Sequence, residues 1–181
     1  MSSAASQTEK SDKSSVGPLD VLVLGVGNIL LSDEGAGVHV VNRFQERYSL
    51  ADSIEVIDGG TSGMDLLPLI ENRTHLFIVD VINASTGRPG QVQRIALTDP
   101  PAYFRQKVTP HQLGLNEVLA LADMSGTMPG SIVLFGVIPK SMETGLDLSP
   151  EVEAGLESLL EMLVAELESM GLAPQARAAG A

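Results

Sequence analysis

Three apolar runs that do not alternate constrain this chain most: DVLVLG at residues 20–25, HLFIVDVI at 75–82 and SIVLFGVI at 131–138. A strand with one wet face alternates apolar and polar residues. A run that is apolar on both parities is a strand buried on both faces, as in a parallel sheet covered by helices on each side. Amphipathic stretches lie between the runs, which implies an α/β/α sandwich. At 181 residues the chain suits a single domain with one core. We read residues 1–18 as a disordered polar extension, 19–171 as the folded unit and 172–181 as a flexible tail.

The elements follow from local signals. After the first strand, Ser32 or Asp33 can cap a helix over 34–48, with Val38, Val41, Phe44, Gln45 and Tyr48 inward. IEVID ends a second strand at Asp58, whose side chain can bond amides of the GGTSG loop that follows. A helix over 64–72 contains Pro68. The strand at 75–82 is followed by NASTGRPG and then QVQRIAL. That link is too short for a crossover helix, so the fourth strand is expected to pair antiparallel to the third. Residues 98–109 read as irregular. Pro110 opens a helix whose Leu115, Val118, Leu119 and Ala122 form one face. Ser149 and Pro150 open the last helix, with Val152, Leu156, Leu159, Leu160, Leu163 and Leu167 inward and Gly171 at its end.

Composition excludes several functions. The net charge of −12 argues against nucleic-acid binding, and the absence of cysteine removes disulfides and thiol chemistry. No run has the length of a membrane span, and residues 1–15 lack the apolar stretch of a signal peptide. These features point to a cytoplasmic protein. Glu151, Glu153, Glu157, Glu161, Glu166 and Glu168 read as a solvated helix face, with an acidic docking surface as the sharper alternative.

Glu34, Asp80 and His111 are the candidate site. In open α/β sheets, ligands bind beyond the carboxyl ends of the strands. Glu34 follows strand one, Asp80 lies late in strand three, and His111 begins the helix that leads back to strand five. Topology therefore places all three at one edge. Two oxygens and a nitrogen suit a divalent transition metal. A helix N-terminus favours Glu34 as carboxylate and His111 as neutral imidazole, the forms that bind metal. Asp80 in an apolar strand needs a partner: a metal, a helix N-terminus or a hydrogen-bond cluster. Singly, each has a structural reading, as a first-turn acid, an acceptor of loop amides and an N-terminal helix residue. Their convergence makes the functional case. His39 reads as surface, and His75 opens strand three at the far edge.

Some motifs fail. GVGNILLSDEGAG begins like a dinucleotide loop, but Leu30 stands at the third glycine position. No phosphate-binding G-x-x-x-x-G-K-[ST] or G-x-S-x-G nucleophile elbow is present.

The motifs LVLGVGNILLSDEGAGV, IDGGTSGMDLL, the IVD of strand three, TPHQLGL and LFGVIPKSMETGLDLSP occur in one order. With them the chain closely resembles the nickel–iron hydrogenase maturation proteases over about residues 20–170. The resemblance implies that family's fold, a phosphorylase/hydrolase-like three-layer sandwich on a five-stranded mixed sheet with one antiparallel strand. It carries the family's metal-contacting residues onto Glu34, Asp80 and His111, which would be both the catalytic and the metal set. It further implies an endopeptidase, aspartic-type or metal-assisted, that removes a C-terminal peptide from the nickel-loaded large-subunit precursor of the hydrogenase. The nickel would arrive with that substrate, and the protein would act as a monomer. Two other classes compete: a Rossmann-like nucleotide enzyme, and a metal-carrying chaperone that leaves the precursor's length unchanged.

Overall fold

A computed structural model describes residues 18–82, 86–105 and 110–177. The expected extension at 1–18 lies, but for its last residue, outside the described residues, as do 178–181 of the expected tail. Strands β1 (Val21–Val26), β3 (Ile54–Gly60), β4 (His75–Val81), β5 (Val92–Ala96) and β6 (Ser131–Val137) form one sheet in the order β3-β1-β4-β6-β5. The first four are mutually parallel, and β5 is antiparallel to β6. Helices α1 (Ala36–Arg47) and α5 (Pro150–Ser169) cover one face. Helix α4 (Pro110–Ser125) and the short α2 (Leu67–Ile70) cover the other.

The apolar runs behave as expected. β1 and β4 are buried along almost their whole length, and their alternate residues enter two separate cores. Val21, Val23, Phe77, Val79, Val133 and Phe135 face α1 and α5. Leu22, Leu24, Leu76, Ile78, Ile132 and Leu134 face α2 and α4. At about 25 cal/mol per Å² of apolar surface, burial on both faces of these strands is a large favourable contribution to folding. The predicted faces of α4 and α5 are all buried. Ser149 caps α5 by accepting from the Val152 amide. Its far end closes as a Schellman turn, with Gly171 N–H donating to Glu168 O and Leu172 N–H to Leu167 O.

Other expectations are corrected. The antiparallel strand β5 pairs with β6 and not with β4, because β6 inserts between them. The chain leaving β4 crosses the end of β6, where Ile82 N–H donates to Val137 O and Gly90 N–H to Ile138 O. A strand apolar on both faces needs a neighbour on each side, whereas the half-polar β5 suits an edge. Residues Pro100–Arg105 form a helix, α3, where an irregular stretch was expected. Asp99 accepts from the Ala102 amide, and Pro100 and Pro101 suit a first turn. The helix expected over 34–48 is a 3₁₀ turn, Ser32–Gly35, followed by α1. Tyr48 is already extended in β2 (Tyr48–Ser49). The helix expected over 64–72 is a 3₁₀ turn, Gly63–Leu66, and the single turn α2. Gln175–Ala176, within the expected tail, form β7 and pair antiparallel with β2.

The glutamates of α5 are more than a solvated face. Glu153 pairs with Arg43, Glu157 with Arg47, Glu166 with Arg94 and Glu151 with Lys140. They tie α5 to α1, to β5 and to the segment after β6. No helix among the described residues is long and apolar enough to cross a membrane.

Candidate active site

The carboxyl ends of β1, β3, β4 and β6 share one edge of the sheet, and the chain's conspicuous polar residues gather there. Beyond β1 the chain doubles back at Gly27, whose φ of 137° favours glycine and whose place leaves no room for a side chain. A Cβ there would lie 1.9 Å from Glu34 O. The Asn28 side chain accepts from Leu30 N–H, which closes the loop locally. Ser32 then adopts a left-handed conformation, φ 51°, and the 3₁₀ turn carrying Asp33 and Glu34 begins.

Glu34 is buried, with 2% of its surface exposed, and Asp80 with 1%. Asp80 Oδ1 accepts from Val81 N–H at 2.7 Å. The close approach of α1 to the sheet brings the two acids to the same edge. A Cβ on Gly37 would lie 2.2 Å from Val79 O and 2.4 Å from Val26 O, so the start of α1 is wedged against the ends of β4 and β1. Glu34 lies one turn before Gly37, and Asp80 follows Val79.

His111 is the second residue of α4. Gly114, a turn later, approaches Gly63, where the chain has just left β3: a Cβ on Gly114 would be 3.0 Å from Gly63 Cα. The start of α4 therefore belongs to the same edge as Glu34 and Asp80. The His111 side chain is outside the described residues, as the expected ligand triad in part is. Among the described residues, no three His, Cys, Asp or Glu side chains form a metal-sized cluster.

The neighbouring candidates separate cleanly. His75 opens β4 at the amino edge, its Nδ1 3.1 Å from Thr74 Oγ1. Asp58 Oδ1 accepts from Gly60 N–H at 3.0 Å, as the loop reading expects. His39 is not a surface residue. It is half-buried, and its buried Nε2 has no hydrogen-bond partner among the described residues. An open cleft of about 350 Å³ lies between the first loop and the end of β3, lined by Gly27, Asn28, Ile29, Leu30, Val38, Asp58, Gly60 and Thr61. It has room for a few side chains of an extended peptide.

Asp33 is the residue that the sequence alone undervalued. Expected as a possible helix cap, it makes no cap bond and is fully buried. Its Oδ2 accepts from Lys140 N–H, Ser141 N–H and Ser149 Oγ–H, and its Oδ1 from Ser149 N–H at 2.6 Å. Burial acts to raise its pKa. The amides of Ser149, Ser141 and Lys140 and the Ser149 hydroxyl outweigh that and hold it below the usual carboxylate range. Its partners lie more than 100 residues away, and no local pattern points to them.

Residues 38–166 match the HycI family model, described as hydrogenase maturation protease. The chain belongs to the hydrogenase maturation protease family. It is 45% identical over 152 residues to the hydrogenase 2 maturation protease of Escherichia coli K12, covering 84% of this chain and 93% of that protein. It is 36% identical over 163 residues to the hydrogenase expression/formation protein HupD of Rhizobium leguminosarum bv. viciae, covering 89% of this chain and 80% of that one. Among solved structures, the hydrogenase maturating endopeptidase HybD of E. coli superposes with a TM-score of 0.83 at 44% identity, over 88% of this chain and 98% of that one. The family and its mixed-sheet sandwich are those that the motif order implied.

Proposed function

We propose that this hydrogenase maturation protease is a nickel-dependent endopeptidase acting on the nickel-loaded large-subunit precursor of a nickel–iron hydrogenase. It would remove a C-terminal peptide, adding water across one amide bond. Glu34, Asp80 and His111 would contact nickel that arrives with the precursor. The observation that carries this reading is the burial of two carboxylates, Glu34 and Asp80, at one sheet edge in a chain of this family. Carboxylate and imidazole donors suit a divalent transition metal, and three protein ligands leave positions for ligands from the substrate. The adjoining cleft gives an extended C-terminal segment a path to that edge. Monomeric action in the cytoplasm completes the proposal; the acidic charge of −12 and the lack of a membrane-length helix among the described residues accord with it.

The test incubates the protein with nickel-loaded and nickel-free precursor and measures product masses. Shortening of the loaded form alone is expected. Equal shortening of both would overturn nickel dependence. Binding without shortening would favour a metal-carrying chaperone.

A further inference from the structure

The turn that bears Glu34 is held by more than its own helix. Ser32, in the left-handed region, donates its N–H to Gly145 O at 2.8 Å and its hydroxyl to Asp147 O at 2.7 Å. Gly145 N–H in turn donates to Leu30 O, and Leu31 forms a parallel bridge with Gly145. A non-glycine residue in this conformation costs about 1 kcal/mol or more and persists only where its surroundings over-determine it. Those surroundings are residues 140–149, the segment between β6 and α5. Asp33 grips that segment at both ends. Its carboxylate takes the amides of Lys140 and Ser141 at one end and the amide and hydroxyl of Ser149 at the other. Its own N–H donates to Ser141 O.

We propose that Asp33 is a positioning residue. Its buried carboxylate clamps residues 140–149 against the first loop, and the clamped segment holds the Ser32 turn that aims Glu34. The inference rests on Glu34 serving at the proposed site. Asp33 itself spends its lone pairs on the segment and touches no substrate. Losing the clamp releases Ser32 toward ordinary backbone conformations and swings Glu34, one residue beyond Asp33, off its aim. Displacement of a reacting group by about 1 Å can cost on the order of 100-fold in rate.

The structure supplies a clean rescue. A Cβ on Gly145 would lie 3.9 Å from Ser32 Cβ, within the range of a disulfide, and the chain has no cysteine to interfere. The experiment compares wild type, Asp33→Asn, the double variant Ser32→Cys/Gly145→Cys and the triple variant, each oxidised and reduced. Cleavage of nickel-loaded precursor is measured well below the melting temperature. Asp33→Asn keeps one carbonyl oxygen and so loses one set of bonds. It should lower kcat/KM at least 10-fold while circular dichroism stays native. The oxidised triple variant should return to within about 3-fold of the oxidised double variant, and reduction should abolish that return.

A merely structural Asp33 would lower the melting temperature and leave cleavage by the folded protein unchanged; cleavage by Asp33→Asn within 2-fold of wild type overturns the proposal. So does a formed disulfide that restores nothing. Failure of wild type to shorten the precursor would refute the proposed function and this inference together. An active wild type combined with either of the two overturning results above refutes the inference alone.

Discussion

The wedge between α1 and the sheet can be tested by Gly37→Ala. The added Cβ meets two backbone carbonyl oxygens, Val79 O at 2.2 Å and Val26 O at 2.4 Å. Ordinary contact begins near 3.4 Å, so α1 must move about 1 Å from the sheet. Neither oxygen is the end of a flexible side chain; each belongs to a central strand with buried neighbours. Overpacking of this kind costs about 3 kcal/mol or more, while replacing glycine by alanine inside a helix returns about 1 kcal/mol. The net loss is about 2 kcal/mol, or roughly 4–8 °C in melting temperature for a domain of this size. The same shift parts Glu34 from Asp80, so processing of loaded precursor should fall at least 10-fold even at a temperature where the variant is fully folded. Differential scanning calorimetry and a precursor-processing assay at 20 °C read the two effects. A melting temperature within 2 °C of wild type would show that α1 is not seated as described. A destabilised variant with full activity would show that the spacing of the two acids does not matter.

Glu34→Gln, Asp80→Asn and His111→Ala should each reduce processing severely while the protein keeps native circular dichroism, because an amide is a poorer metal ligand than a carboxylate and alanine offers no ligand atom in place of the imidazole. His75→Ala, at the amino edge, should process normally, and the reverse pattern between His75 and His111 would refute the ligand assignment. Glu166→Gln tests the α5 ion pairs. The hydrogen bond from Arg94 lowers the Glu166 pKa, so its stabilisation is present above the unfolded carboxylate pKa of about 4.3 and is lost as pH falls through the lower folded value. Urea unfolding should show a deficit of up to about 1 kcal/mol at pH 7 that shrinks toward zero in acid, and a deficit independent of pH would contradict it. Truncation before Gln175 removes the β2–β7 pairing and should change the melting temperature by only a few degrees, since that two-residue pairing is exposed over most of its length and adds little burial. A collapse of folding would show that the tail is integral to the core.

Much of this protein is written in local pattern. Runs that are apolar on both parities can satisfy water-excluded surface only as central strands, so β1, β4 and β6 were legible, as were the buried faces of α4 and α5. The parallel order of strand and helix then forces Glu34, Asp80 and the start of α4 to one edge, without knowledge of any distance. Strand order was not legible in the same way. The link from β4 to β5 specifies direction but not which strand lies between, and only the burial needs of β6 on both sides decide that. The role of Asp33 was equally hidden, because its partners at residues 140–149 are remote in sequence and a carboxylate before a helix looks the same whether it caps the helix or anchors a distant loop. The glutamates of α5 show the same limit. Their segment contains no cation, and the arginines that pair with them come from α1 and β5. Periodicity is a property of neighbours along the chain and survives in the sequence. Pairing between residues more than 100 positions apart exists only once the whole sheet has closed and brought them into contact.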